Sequence, residues 1–261
     1  MVTESLIQNE EVLELLLKTA IEYGIDKPYI VGGKVRDFLM KPGEPSDDID
    51  LTTLSPECVR LGIMLASKTN ETFRMFEDRH VRVFYSGSNL DFSPGVLSWS
   101  HPGVIDWLGE NAPDKLKFAE SFSRDFTINT MHQDIETGEI YDPTELGLKD
   151  AESGIIRTPL PPEIAIKNDP RRIFRAIRLA AQFGMSVDDK ISNYVRNNSE
   201  VILDSKLTTQ YMTTETNKAF EFNAENSIEH IFDMGLFKII PLAGNYSKYL
   251  IKNKLLQKYL S

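Results

Sequence analysis

Two neighbouring stretches decide the fold that this sequence predicts: VGGKVRDFL at residues 31–39 and SDDIDL at residues 46–51. In the first, a short apolar run ends at Gly32 and Gly33, and a helix-like pattern follows. Glycine lets a backbone approach a ligand closely, and the unpaired N–H groups at a helix start attract phosphate. The pattern therefore predicts a strand, a turn and a helix that could hold a phosphate group, although many surface turns also use two glycines.

Positive charge follows this turn, at Lys34 and Arg36. Both side chains could contribute to phosphate binding at the start of the helix. A structural ion pair between Arg36 and either Asp37 or Asp50 is the alternative interpretation.

The second stretch predicts a strand with two carboxylates on one face. Residues i and i+2 of a strand share a face, so Asp48 and Asp50 point the same way, while Ile49 and Leu51 face the core. Two like charges held together are costly unless a cation neutralises them, and hard oxygen ligands suit Mg²⁺. We therefore expect Asp48 and Asp50 to bind metal, and Asp47 to be a capping or exposed acid.

A third carboxylate, Asp91, lies on another predicted strand. It could join the same metals or act as a base for an attacking hydroxyl. A hairpin acid that faces solvent is the alternative.

Composition narrows the class of protein. The chain has 261 residues, one cysteine (Cys58) and a net charge of −10, with 41% hydrophobic residues. The single cysteine excludes an intrachain disulfide, no apolar run is long enough for a membrane span, and the first residues are acidic. These features predict a cytoplasmic protein that does not enter a membrane. The acidic balance argues against nonspecific polyanion binding, but local basic strips at residues 171–178 and 248–258 could still contact nucleic acid or simply be solvated.

The chain divides into two parts of different character. Strand and helix patterns alternate over residues 1–157, whereas only helical patterns follow the prolines at 159–162, so we expect an α/β part at 1–157 and a helical part at 158–261. The predicted helices are 10–23, 34–40, 56–68 and 126–131, and the predicted strands are 29–31, 48–52, 80–85 and 90–92, with a hairpin at 135–141. Residues 93–113, rich in Pro, Gly, Ser and Trp, predict a loop.

The stretch RDFTINT at residues 124–130 places Asp125 and Asn129 one helical turn apart. A simple account is that Asp125 caps a helix. The functional alternative is that Asp125 and Asn129 hold a ribose while Arg124 contacts a phosphate.

The stretch NDPRR at residues 168–172 opens the helical part. Asp169 and Arg172 are three residues apart, so we expect them to share a helix face, where an acceptor and donors could read the edge of a nucleobase. Asp169 followed by Pro170 is equally typical of a helix N-cap. Spacing alone favours the cap.

Taken in order, these stretches resemble the class II tRNA nucleotidyltransferase and bacterial poly(A) polymerase family. GGKVRD with Asp48-Ile49-Asp50 is similar to motif A, RDFTIN to motif B and DPRRIFRAIR to motif D. GLKD at 147–150 and GIIRTPL at 154–160 resemble motif C between them, and the resemblance covers residues 29–184.

The resemblance implies an α+β fold: a polymerase-β-like nucleotidyltransferase head with a mixed sheet and flanking helices at 1–157, then an all-helical neck and short body at 158–261. It implies that Asp48 and Asp50 bind two Mg²⁺ ions, with Asp91 as a candidate third ligand. CTP and ATP are the implied substrates. The implied nucleotide-binding residues are Gly32, Gly33, Lys34, Arg36, Arg124, Asp125, Asn129, Asp169, Arg172, Arg175 and Arg178. In this scheme Asp169 and Arg172 pair with the base, while Arg175 and Arg178 face the triphosphate or the neighbouring core.

The sequence also departs from the family pattern. Ser123 replaces the first arginine of motif B, and Thr130 stands where an alanine usually follows the asparagine of that motif. Asn168 replaces the glutamate that usually begins motif D. Family members usually continue into larger RNA-binding domains, whereas this sequence ends at Ser261. We therefore expect a minimal enzyme, a different RNA acceptor, or reliance on a partner chain or a second copy, with the basic tail replacing part of the RNA-binding surface.

The resemblance implies a template-independent enzyme that adds CMP and AMP to the 3′ end of tRNA. One alternative is a poly(A) polymerase or single-nucleotide adder acting on another RNA. A second is a noncatalytic RNA-binding homologue, and a third is a nucleotidyltransferase acting on a protein or a small molecule.

Overall fold

A computed structural model describes residues 6–7, 9–40, 48–77, 79–94, 103–199 and 207–239. Contacts divide the chain into two compact units, Met1–Ala151 and Glu152–Ser261, and each unit is described by itself. Asp47, the basic tail at 248–258 and part of the predicted loop lie outside the described residues. Within them, no helix combines the length and apolar character needed to cross a membrane.

The described part of the first unit contains a mixed sheet of seven strands. They are β1 (Tyr29–Val31), β2 (Asp48–Thr52), β3 (Phe73–Met75), β4 (Val81–Tyr85), β5 (Ser88–Phe92), β6 (His132–Asp134) and β7 (Ile140–Tyr141). Their order across the sheet is β3-β4-β5-β2-β1-β6-β7. Strands β2 and β5 run parallel, and the other neighbours are antiparallel.

Helices accompany this sheet along the chain. They are α1 (Glu10–Glu22), α2 (Gly33–Met40), α3 (Cys58–Thr69), α4 (Val104–Asn111), α5 (Ala119–Ser123) and α6 (Gly147–Ser153). Asn9 starts α1, since its side chain accepts hydrogen bonds from the backbone N–H groups of Glu11 and Val12. Apolar side chains from α1, α3 and the strands form one buried core. Strand β2 is anchored there by Ile49 and Leu51, which fixes the opposite face for its aspartates.

The second unit is mainly helical. Its helices are α7 (Pro162–Asn168), α8 (Arg171–Phe183), α9 (Asp189–Asn197) and α10 (Thr209–Asp233), and its two short parallel strands are β8 (Ile155–Ile156) and β9 (Ser186–Val187). Helix α8 buries one face, ends at Gly184 with a left-handed φ of 66°, and packs on α10. Helix α10 has a break at Asn223, whose backbone is extended.

The structure corrects three sequence predictions. Residues 93–113 are not all loop, because 104–111 form α4, with Leu108 buried. The helix predicted at 126–131 is only a short 3₁₀ turn, Thr127–Asn129, since strand β6 begins at His132. The second unit is not purely helical, because Ser186–Val187 pairs with Ile155–Ile156.

Candidate functional site

The glycine turn brings β1 against the start of α2. Gly32 adopts φ +77°, which is costly for other residues, and its carbonyl accepts the first helical hydrogen bond, from the N–H of Arg36. A Cβ atom on Gly32 would lie 2.5 Å from Oδ2 of Asp50 and 2.6 Å from Nη1 of Arg124. Gly32 therefore provides the close approach between the turn and two predicted site residues. Helix α2 begins at Gly33, one residue before its predicted start at Lys34.

We expect Gly32→Ala to reduce catalytic activity by about 100-fold or more, since displacing a reacting group by about 1 Å can have that effect. The nucleotide transfer that the sequence resemblance implies would be the activity measured. Gly87→Ala is the matched control, because Gly87 has φ +80° and open space around a new Cβ. The control shares the backbone strain but has no clash near Asp50. Equal activity losses in the two variants would contradict the close-approach role.

Three carboxylates lie on one face of the sheet. Asp48 and Asp50 are two residues apart on β2, and Asp50 stands beside Asp91 in the parallel register of β2 and β5. Asp48 and Asp50 remain accessible, with side chains 55% and 40% exposed, whereas the Asp91 side chain is 9% exposed. Asn89 donates a hydrogen bond from Nδ2 to Oδ1 of Asp48 at 2.7 Å. The predicted metal-binding pair is therefore brought together and open.

Asp91 is held by Arg82, a residue that the sequence reasoning missed. Nε and Nη2 of Arg82 donate to the two carboxylate oxygens of Asp91 at 2.7 and 2.5 Å. Nη2 of Arg82 is also 3.8 Å from Oδ2 of Asp48. Asp91 thus faces Arg82 and not solvent, contrary to the solvent-facing alternative. Among the described residues, no three Asp, Glu, His or Cys side chains are arranged to hold one metal ion.

The carboxylate face has the electrostatics of a cation site. Asp50 is partly exposed, and the partial loss of solvent around its carboxylate raises its pKa above the ordinary value; the charges of Asp91, Glu120 and Asp48 raise the pKa further, while Arg124 opposes them. A divalent cation would relieve this repulsion, and carboxylate oxygens are the ligands that Mg²⁺ prefers. Asp48 and Asp50 are thus chemically suited to hold such an ion.

The motif B side chains form a connected group next to this face. Asp125 Oδ1 accepts hydrogen bonds from the N–H of Phe126 at 2.9 Å and from Nδ2 of Asn129 at 2.7 Å. Asn129 Oδ1 accepts from Nη1 of Arg36 at 2.8 Å, and Arg36 also pairs with Asp37 at 2.7 Å. The structure therefore brings Asp125 and Asn129 into direct contact, and it places Arg36 in the ion pair with Asp37 that was the structural alternative.

Arg124 is oriented by a buried acid that the sequence reasoning also missed. Nη2 of Arg124 lies 2.6 Å from Oε1 of Glu120, and Nη1 lies 4.0 Å from Oδ2 of Asp50. Glu120 is 3% exposed, and its other oxygen is 3.7 Å from Nε2 of His132, which also contacts Oγ of Ser121 at 2.7 Å. The i, i+4 spacing of Glu120 and Arg124 in the sequence could have predicted this ion pair, because residues four apart on a helix are neighbours.

The GLKD stretch of motif C packs against motif B. The hydroxyl of Thr127 donates to Oδ2 of Asp150 at 2.6 Å, and both side chains are buried. A Cβ on Gly147 would lie 2.7 Å from the carbonyl oxygen of Thr127. The GLKD stretch therefore packs tightly against the turn that carries Asp125 and Asn129.

In the second unit, Asp169 precedes α8 and pairs with Arg171. Its carboxylate accepts from Nε and Nη2 of Arg171 at 2.7 and 3.1 Å, and from the N–H of Arg171 at 3.2 Å. Helix α8 begins at Arg171, so the predicted shared helix face of Asp169 and Arg172 does not form, and Arg172 is 3% exposed. The carboxylate of Asp169 accepts from an N–H of the first turn, as a cap would, but the residue directly before the helix is Pro170 and not the predicted Asp169.

The other predicted arginines of motif D lie on α8 near α10. Arg178 donates from Nε to Glu215 at 2.7 Å and from Nη1 to Gln182 at 3.2 Å. Arg175 lies close enough to Tyr211 of α10 to act on its pKa. Burial and the nearby Glu215 raise the pKa of Tyr211 to about 12, and the positive charge of Arg175 opposes this shift. Arg178 therefore contacts the neighbouring helix, one of the two locations expected for it.

Comparison with known proteins identifies the family. Residues 28–157 match the poly A polymerase head domain. A CCA-adding enzyme from Ligilactobacillus salivarius is 30% identical over 228 residues, which cover 84% of this chain and 52% of that protein. A CC-adding tRNA nucleotidyltransferase from Halalkalibacterium halodurans is 32% identical over 177 residues, covering 67% of this chain and 40% of that protein.

A solved structure shares the fold. The Thermotoga maritima CCA-adding enzyme, complexed with tRNA, aligns with a TM-score of 0.66 at 21% identity, over 87% of this chain and 51% of that one. This chain spans about half the length of the curated relatives it matches. The α+β fold predicted from the sequence is confirmed. With its head domain matched and its motifs in order on that fold, the chain belongs to the class II tRNA nucleotidyltransferase and poly(A) polymerase family.

Proposed function

We propose that this protein adds CMP and AMP to the 3′ end of tRNA without a nucleic-acid template. The observation that carries the proposal is the open pair Asp48 and Asp50 beside the Gly32 turn and Arg124. The names of the relatives support it, since they are CCA-adding and CC-adding enzymes. A cytoplasmic location, expected from the composition, is part of the proposal.

The residues of the first unit divide the chemistry among them. Asp48 and Asp50 would hold two divalent cations such as Mg²⁺, which when bound supply activation of the RNA 3′-hydroxyl and charge neutralisation of the triphosphate. Gly33 and Lys34 at the start of α2 offer N–H groups and positive charge to phosphates. Asp125 and Asn129, fixed by their mutual hydrogen bond, are suited to hold the ribose of CTP or ATP.

A direct assay tests this function. The full chain, with Mg²⁺, would receive tRNA ending before CCA, at C or at CC, with labelled CTP and ATP offered separately. Ordered addition of C, C and A supports the proposal. Long A tails would instead identify a poly(A) polymerase, and no incorporation into any RNA would contradict both and favour a noncatalytic homologue.

A CC-adding enzyme is the second candidate, because the Halalkalibacterium halodurans relative carries that name at 32% identity. The same assay separates the two. A CC-adding enzyme would extend the first two tRNA substrates with CTP and leave tRNA ending in CC unchanged when ATP is supplied.

We expect Asp169→Ala to lose discrimination between CTP, ATP and other nucleotides by about tenfold or more, since one bidentate base contact contributes about 1–3 kcal/mol of discrimination. Relative kcat/KM values for the four nucleotides would measure it. The reason is the template role that the family resemblance gives to Asp169: its carboxylate, which accepts from Arg171 in this structure, would accept from the base instead.

Two further variants separate this template role from helix capping. Asp169→Asn retains a good capping residue but replaces one of the two acceptor oxygens with a donor amide, so it should still change selectivity. Asp188→Ala removes the cap of α9 in the same unit, where Asp188 accepts from the N–H of Lys190, and should leave selectivity unchanged. If selectivity survived both Asp169 changes, Asp169 would be a cap only.

A further inference from the structure

The strand register places a fixed positive charge inside the carboxylate face. The hairpin of β4 and β5 turns at Ser86 and Gly87, both with positive φ, as a two-residue turn of the tight type requires. This register sets Arg82 directly opposite Asp91, and β2 sets Asp50 on the other side of Asp91. Three neighbouring strands thus contribute a cation and two anions to one row.

Arg82 binds Asp91 through two guanidinium nitrogens, Nε and Nη2. The two hydrogen bonds, at 2.7 and 2.5 Å, use both oxygens of a carboxylate that is 9% exposed. A buried carboxylate requires such a partner, and a bidentate guanidinium is a strong one. A metal ion that approached Asp91 would therefore compete with Arg82 for the same two oxygens.

Arg82 also opposes cations at the neighbouring carboxylate. Its Nη2 lies 3.8 Å from Oδ2 of Asp48, so a divalent ion bound by Asp48 would experience repulsion from the guanidinium at short range. A nucleoside triphosphate brings negative charge that offsets this repulsion. The affinity of the protein for a divalent cation should therefore be lower without nucleotide than with it.

We propose that Arg82 withholds Asp91 from divalent cations, so that the free protein binds a cation weakly and tight binding requires the nucleotide. This proposal rests on the proposed function, because it assumes that Asp48 and Asp50 form the metal site. It assigns Arg82 a positioning role: the residue controls when the metal binds through its hold on Asp91.

The test measures Mn²⁺ binding to the nucleotide-free full chain by electron paramagnetic resonance. We expect Arg82→Gln to bind Mn²⁺ about tenfold more tightly or better, because the variant loses the charge but keeps an amide donor for Asp91. Arg82→Ala should show the same direction. A larger rise of the unfolding temperature on Mn²⁺ addition provides a second readout that does not depend on activity.

Arg74→Ala is the matched control. Arg74 faces Arg82 across β3 and β4, and its guanidinium lies 4.7 Å above the ring of Phe76. The control removes the same charge one strand away, and its Mn²⁺ affinity should change by less than about twofold. In the double variant Arg82→Gln with Asp91→Asn, the gain in affinity should disappear.

The outcomes distinguish this proposal from the proposed function. Unchanged or weaker Mn²⁺ binding in both Arg82 variants would overturn the role of Arg82 and leave the metal site intact. If Asp48→Ala and Asp50→Ala bound Mn²⁺ as tightly as the wild type, the metal site itself would be wrong, and both proposals would fail.

Discussion

Asp50→Asn is expected to reduce nucleotide addition at least ~10³-fold, because a lost metal ligand removes several kcal/mol of transition-state stabilisation. Asp50 lies at the centre of the site, with Arg124 at 4.0 Å and the Gly32 turn against its carboxylate. Asp48→Ala should have a similar effect. Single-turnover incorporation of labelled CTP into tRNA would measure the loss.

The stability of this variant separates lost chemistry from lost folding. Burial and nearby carboxylates raise the pKa of Asp50, so its charged form destabilises the metal-free protein above the ordinary pKa. Asp50→Asn should therefore unfold at the same temperature as the wild type or higher, while losing activity. Glu57→Gln, at an exposed acid paired with Arg60, is the control and should retain activity. An active Asp50→Asn protein would remove Asp50 from the metal site.

The sequence was sufficient to predict the parts of the site that depend on local pattern. The alternation Asp48, Ile49, Asp50, Leu51 specifies which side chains face the core, and β2 has that arrangement. The glycine turn after β1 was predicted in the same way, as a close approach to phosphate, and the structure adds that Gly32 has a positive φ and lies against Asp50. Periodicity and residue type carried these predictions.

Other features depend on which of several nearby residues forms an ion pair with a charged group, and the local sequence pattern does not determine this. Asp169 could pair with Arg171 or Arg172, and the pairing with Arg171 follows from where α8 begins. Arg82 was identifiable in principle, since the turn at 86–87 fixes the register that sets it opposite Asp91. The short strand Ser186–Val187 carries no signal of its own, because two residues acquire a strand geometry only from their partner at 155–156.

The ion pair of Glu120 and Arg124 leads to the largest expected effect on stability. Both groups are largely buried, with Glu120 3% exposed, and removing one partner of a buried pair leaves an uncompensated charge. We expect Glu120→Ala to lower the free energy of unfolding by about 3–5 kcal/mol, measured by urea denaturation. Activity should fall as well, since Arg124 would lose the contact that orients it toward Asp50.

A matched control and a pH series make this expectation specific. Glu14→Ala breaks an i, i+4 pair of the same spacing, with Lys18 on the exposed face of α1, and should leave stability unchanged.

Burial alone raises the pKa of Glu120, but Arg124 and His132 outweigh it and hold the pKa below the ordinary value of 4.5. A lowered pKa stabilises the fold above the unfolded value, and that contribution is lost as pH falls through the folded one. The difference in free energy of unfolding between the wild type and Glu120→Gln should therefore be largest at neutral pH and decrease below about pH 4.5. A gap that stayed constant with pH, or a Glu120→Ala protein as stable as the wild type, would show that this buried charge does not hold Arg124 in place.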